Sequence, residues 1–134
     1  MAQNKVFNYF NWRSTLLEND ELDSVKKVLE TFLEGTRRLD YTMMTSVVHP
    51  DARLFLGEES ESKRLYDHWK DTSTFTKEEK KNYFDSFISA ILSVEVEGTI
   101  ARAKLRMNNW VDFLTLIKIN DDWKIVVKVS SKIK

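Results

Sequence analysis

From Leu22 the apolar positions Val25, Val28, Leu29, Phe32, Leu33 and Leu39 recur on one helix face, while Asp20, Glu21 and Asp23 place negative charge at the positive end of the helix dipole. The spacing predicts a long first helix. Ahead of it, Phe7, Tyr9, Phe10 and Trp12 are scattered among asparagines without a helical period. Residues 1–20 therefore read as an N-terminal arm, or a frayed terminus, on a single domain spanning 21–134. Asp40 can cap a short helix carrying Met43, Met44, Val47 and Val48, which His49-Pro50 stops because proline disfavours helical geometry in the residue before it. A short strand, Ala52 to Leu56, ends at Gly57, and the acidic stretch Glu58 to Ser62 reads as a loop before a turn or two of helix at Leu65, Tyr66 and Trp69. Thr76 with Glu79 forms a capping box that opens a helix presenting Tyr83, Phe84 and Phe87.

Between Leu92 and Ile133 the period changes to two, which predicts a four-stranded antiparallel meander. Its register follows from the two-residue turns Gly98-Thr99, Asn108-Asn109 and Asn120-Asp121. Pairing outward from the first sets Val96 opposite Ala101, Glu95 opposite Arg102, Val94 opposite Ala103 and Leu92 opposite Leu105. The later turns carry one apolar face through Met107, Trp110, Asp112, Leu114 and Leu116, then Trp123, Ile125, Val127 and Val129. The opposite face holds Arg102, Lys104, Arg106, Lys124 and Lys128, but also Phe113, Thr115, Ile117 and Val126. That half-apolar outer face is expected to join two copies of the chain sheet to sheet, scattered surface hydrophobes on a monomer being the alternative.

Composition narrows the function classes. The 134 residues carry 21 basic and 21 acidic side chains, so no net field gathers phosphates and nucleic acid is not an expected partner. Without cysteine there are no disulfides, thiolate chemistry or cysteine-held zinc, and two histidines do not make a metal cluster. No metal and no cofactor is expected. The start of the chain has no continuous apolar core of the signal-peptide kind and no stretch approaches a membrane span, so a cytoplasmic location without membrane partners is expected.

The order of parts, a long helix, a short helix, His49-Pro50-Asp51-Ala52 leading into a strand, then a helix and a meander containing Trp123-Lys124-Ile125, resembles the nuclear transport factor 2-like superfamily, most closely its group described as putative lumazine-binding proteins. The resemblance implies an α+β fold in which a cone-shaped, curved antiparallel sheet wraps a long N-terminal helix with two or three shorter helices, leaving a pocket at the open end. It also implies dimers. That superfamily includes ketosteroid isomerase, dehydratases, hydrolases and members without chemistry, so the fold does not assign a reaction. Aligned on the isomerase pattern, Phe32 stands where that enzyme has its oxyanion-stabilising tyrosine and Leu56 where it has its aspartate base. Proton abstraction beside a carbonyl needs both groups, so the isomerase reaction is rejected.

Asp112 is the one carboxylate that the register puts on the concave face, where desolvation suits a carboxyl to acid or base work; a wetted sheet-end residue paired with Arg106 is the alternative. His49 and His68 are the other candidates, each as readily a local hydrogen-bonding or helix-surface residue, and no spacing joins either to Asp112. The leading expectation is a pocket for a small apolar or aromatic ligand, lined by Phe32, Leu56, Trp69, Met107, Trp110 and Asp112, without catalysis. The alternatives are a dehydratase- or hydrolase-type enzyme using Asp112 with a histidine, and a dimeric association module whose cavity is filled by its own side chains.

Overall fold

The computed structural model describes residues 12–70 and 74–133, so the first eleven residues of the expected arm lie outside it. Helix α1 spans Trp12–Arg38 and so begins ten residues before the expected start at Leu22. No glycine or proline lies between residues 12 and 34, and nothing there breaks a helix that packing has already nucleated further on. Its apolar face buries Val25, Leu29, Phe32 and Leu33. Each such side chain contributes roughly 1.5–3 kcal/mol on leaving water.

The helix ends in a Schellman motif: the Leu39 N–H donates to the Thr36 carbonyl at 3.0 Å and the Asp40 N–H to the Gly35 carbonyl at 2.9 Å. Leu39 takes the left-handed position of that motif, with φ of 52°. Asp40 then caps α2 (Tyr41–Thr45) as expected, its carboxylate accepting from the Met43 N–H at 3.0 Å. The second helix is shorter than the pattern suggests, and β1 (Val48–Leu56) starts at Val48 rather than Ala52. Pro50 sits where the pairing of β1 skips between Val48 and Arg53, a position at which the missing amide hydrogen costs no ladder bond. After it come β2 (Lys63–Arg64), α3 (Leu65–Lys70) and α4 (Lys77–Ser86), the last opened by the expected capping box between Thr76 and Glu79.

The meander is β3 (Ser89–Glu97), β4 (Ile100–Met107), β5 (Trp110–Ile119) and β6 (Asp122–Lys132), joined by the three expected two-residue turns. The six strands form one curved, unclosed sheet in the order β2-β1-β6-β5-β4-β3, antiparallel except where β1 runs parallel to β6. With α1 packed along the concave side and three shorter helices around it, the fold is the expected α+β cone. No helix among the described residues is long and apolar enough to cross a membrane.

Two bulges alter the register read from the sequence. In β3 the pairing shifts between Ile91 and Ser93, so that Ile91, not Leu92, lies opposite Leu105, and Leu92 turns to solvent. In β6 the partners of Leu116 and Thr115 are Ile125 and Val127, leaving Val126 as the extra residue. Beyond that point the faces of β6 are exchanged. Val127 and Val129, expected inside, lie outside, while Lys128 and Ser130 turn inward and are buried. Lys128 therefore leaves the outer face to which the regular alternation assigns it.

Candidate functional site

Across the concave face the pairings place Leu56, Ser130, Asp112, Leu105 and Ile91 in one row over five strands, and Leu54, Lys128, Leu114, Ala103 and Val94 in the next. Asp112 is fully buried, as its position on β5 predicts. Its partner is neither histidine nor Arg106. Lys128 stands diagonally across from it, within reach of a long side chain, and its Nζ lies 3.4 Å from Asp112 Oδ1. The same Nζ donates a 2.8 Å hydrogen bond to Ser130 Oγ. Both Asp112 carboxylate oxygens are otherwise without a hydrogen-bond donor among the described residues. Burial pulls the Lys128 ammonium below the usual lysine range, and the neighbouring carboxylate opposes that pull.

The rim of this end of the sheet is tied down by α4 and the β4–β5 turn. Asn108, in left-handed conformation, donates its N–H to the Ile88 carbonyl at 2.8 Å and accepts from the Ile88 N–H through Oδ1 at 3.1 Å. Burial raises the Tyr83 phenol of α4 above its ordinary range, the neighbouring Asn108 side chain opposes this, and the Asp112 charge adds to the rise. Arg37 of α1 donates to the Phe84 carbonyl at 3.2 Å and lies 3.7 Å over the Phe84 ring, fixing α4 against the C-terminal end of α1.

Of the other residues expected to line a pocket, Phe32 and Trp69 meet with ring centroids 5.4 Å apart, both buried. Met107 is buried and Trp110 half-buried at the β4–β5 turn, with Lys132 Nζ 5.9 Å from the Trp110 ring centroid, and Leu56 is half-buried in the Asp112 row. Trp69 also walls an outward cleft of about 690 Å³ bounded by Arg38, Leu39, Tyr41 and Lys80. His49 lies at the opposite end of β1 from Leu56, on the order of 20 Å along the strand, and its Nδ1 accepts from the Asp51 N–H at 3.0 Å. His68 is exposed on α3. Neither histidine joins the buried carboxylate in a dyad, and the group that does, Lys128, is one that the alternation assigns to the outer face. The only sequence signal for it is the run Ile125-Val126-Val127, where consecutive apolar residues leave the parity of the following positions open.

The family model described as "Putative lumazine-binding" matches residues 20–131. Among solved structures, an NTF2-like protein of unknown function from Methylobacillus flagellatus is 24% identical, with 86% of this chain and 94% of that one covered at a TM-score of 0.67. An NTF2-like protein of unknown function from Silicibacter pomeroyi is 21% identical, with 84% and 96% covered at 0.65. A ketosteroid isomerase-like protein from Erwinia carotovora atroseptica is 14% identical, with 87% and 98% covered at 0.64. At these identities the likeness is one of fold. A search of curated proteins finds no match.

Proposed function

Because the chain belongs to the "Putative lumazine-binding" family, we propose that its concave face receives a small, flat, mostly apolar heterocycle carrying a ring N–H beside a carbonyl, and holds it at Asp112, Lys128 and Ser130. The observation that carries this reading is the Asp112 carboxylate, fully buried and, apart from the 3.4 Å ion pair of Oδ1 with Lys128, without a hydrogen-bond donor among the described residues. Buried carboxylates are ordinarily supplied with donors, and a ring N–H is one that a ligand brings. Lys128, with one hydrogen committed to Ser130, keeps donors for an adjacent carbonyl oxygen. Phe32, Leu56, Trp69, Met107 and Trp110 supply the apolar walls. Lumazine itself has the required pattern of flat ring, N–H and carbonyl.

Thermal denaturation with and without lumazine tests the reading. At about 100 times its Kd a ligand stabilises by roughly 2.7 kcal/mol, several degrees in Tm for a domain of this size. We expect that shift for the wild type and its loss in Asp112→Asn. A wild type whose Tm does not respond to lumazine or other pteridine-diones at millimolar concentration would show the reading to be wrong.

The outer face supports a homodimer as the second part of the proposal. Phe113 is 57% exposed, the exchange of faces in β6 adds Val129 at 42%, and Phe55 of β1, at 40%, completes the same cross-strand row. Together with Thr115, Ile117 and the bulged Val126 they extend the expected association surface across three neighbouring strands, suited to a second copy related by a two-fold axis.

A further inference from the structure

A lysine becomes a nucleophile toward carbonyl compounds when it is shielded from water, loses its proton at accessible pH and has a neighbour that can carry that proton. Lys128 meets the first and last of these conditions by placement, and its burial acts in the direction of the second. It is 7% exposed, it is flanked in its row by Leu54 and Leu114, and its Nζ stands 3.4 Å from a fully buried carboxylate. Desolvation favours its neutral form. A structural ion pair would be expected to use its hydrogen-bonding capacity fully; here Lys128 donates to Ser130 Oγ, Asp112 Oδ1 has only the 3.4 Å ion pair with that ammonium, and neither carboxylate oxygen has another donor among the described residues.

We propose that Lys128 forms an imine with an aldehyde or ketone admitted to the concave face, with Asp112 moving the protons. The proposal rests on the reading of that face as a small-molecule site. The ammonium first passes one proton to Asp112. The neutral amine adds to the carbonyl carbon while Asp112 returns its proton to the carbonyl oxygen, giving a carbinolamine protonated at nitrogen. Asp112 takes a proton from that nitrogen and delivers it to the hydroxyl, which leaves as water as the C=N bond forms. The sum is ammonium plus carbonyl giving iminium plus water, with no oxidant or reductant. The pair ends as it began, one cation facing one carboxylate, and its net charge stays zero at every step, so no uncompensated charge is left buried. Apolar neighbours favour the step that expels water.

The test is incubation of the purified protein with benzaldehyde or propionaldehyde and sodium cyanoborohydride, which fixes an imine as a secondary amine, followed by peptide mapping. Lys128 is expected to be labelled at least about tenfold faster than any surface lysine, and Asp112→Asn to slow that labelling about a hundredfold, the usual scale of a positioned proton carrier. Since loss of one partner can unfold the chain, the double variant Asp112→Leu/Lys128→Met, which leaves no lone buried charge, serves as the folded control and should lose the fast adduct alone. Labelling confined to surface lysines with both aldehydes overturns the proposal. If Tm still rises with lumazine in that case, the imine fails and the non-covalent site stands. An adduct on Lys128 without any lumazine response supports the imine and counts against the heterocycle as the ligand of this face.

Discussion

At 0% and 7% exposure, Asp112 and Lys128 are the charged side chains buried among the described residues, and they form an ion pair with each other. Removing one partner of such a pair leaves an uncompensated charge and costs roughly 3–5 kcal/mol, whereas replacing both with apolar groups of similar volume is often neutral or stabilising by about 1–4 kcal/mol. Chemical denaturation should therefore find Asp112→Asn strongly destabilised and Asp112→Leu/Lys128→Met at least as stable as the wild type. A double variant as unstable as the single one would mean that the pair is a net structural support and not a cost retained for function. A second residue-scale expectation concerns Asp67, exposed on α3, whose hydrogen bonds to Arg64 and Lys70 hold its carboxyl at about 2. Its folded pKa lies below the ordinary 3.8, so its contribution to stability is present above that value and is lost as pH falls from 3.8 through 2. An NMR titration of Asp67 should move back toward 3.8 in Arg64→Gln/Lys70→Gln.

Among the elements, the turn from α1 into α2 depends on how closely the two helices approach. A Cβ added at Gly35 would meet Met44 N at 2.9 Å and Met44 Cγ at 3.0 Å, one of them backbone. Gly35→Ala should therefore cost about 1–3 kcal/mol by overpacking, measured as a lower denaturation midpoint at unchanged m-value. In α4, Thr76→Ala removes the side chain that accepts from Glu79 N–H and should cost about 1 kcal/mol. The capping box, the Asp40 cap and the three hairpin turns are all legible in the sequence, because each rests on residues a few positions apart whose local chemistry has one good solution. The bulges at Leu92 and Val126 are not. In Ile125-Val126-Val127 three successive apolar residues are acceptable on either face, so the alternation that pins the register elsewhere says nothing where the strand must bend.

For the molecule as a whole, the row Phe55, Val129 and Phe113 on the outer face sets the expectation of a dimer. The wild type should elute from size exclusion with multi-angle scattering at twice the monomer mass and Phe113→Lys at the monomer mass; a monomeric wild type would rule the dimer out. The sequence by itself determined the α+β class, the long apolar-faced helix, the caps, the turns, and the inward side of β4 and β5, including Asp112. These follow from periodicity and from short-range hydrogen bonding, which one chain segment satisfies on its own. Only the tertiary structure decided what stands beside Asp112. That depends on where β6 bulges as the sheet curves over α1 and β1 joins its other edge in parallel, a global fit that exchanges the faces of a strand and brings Lys128 and Ser130 in from the side where simple alternation leaves a lysine in water.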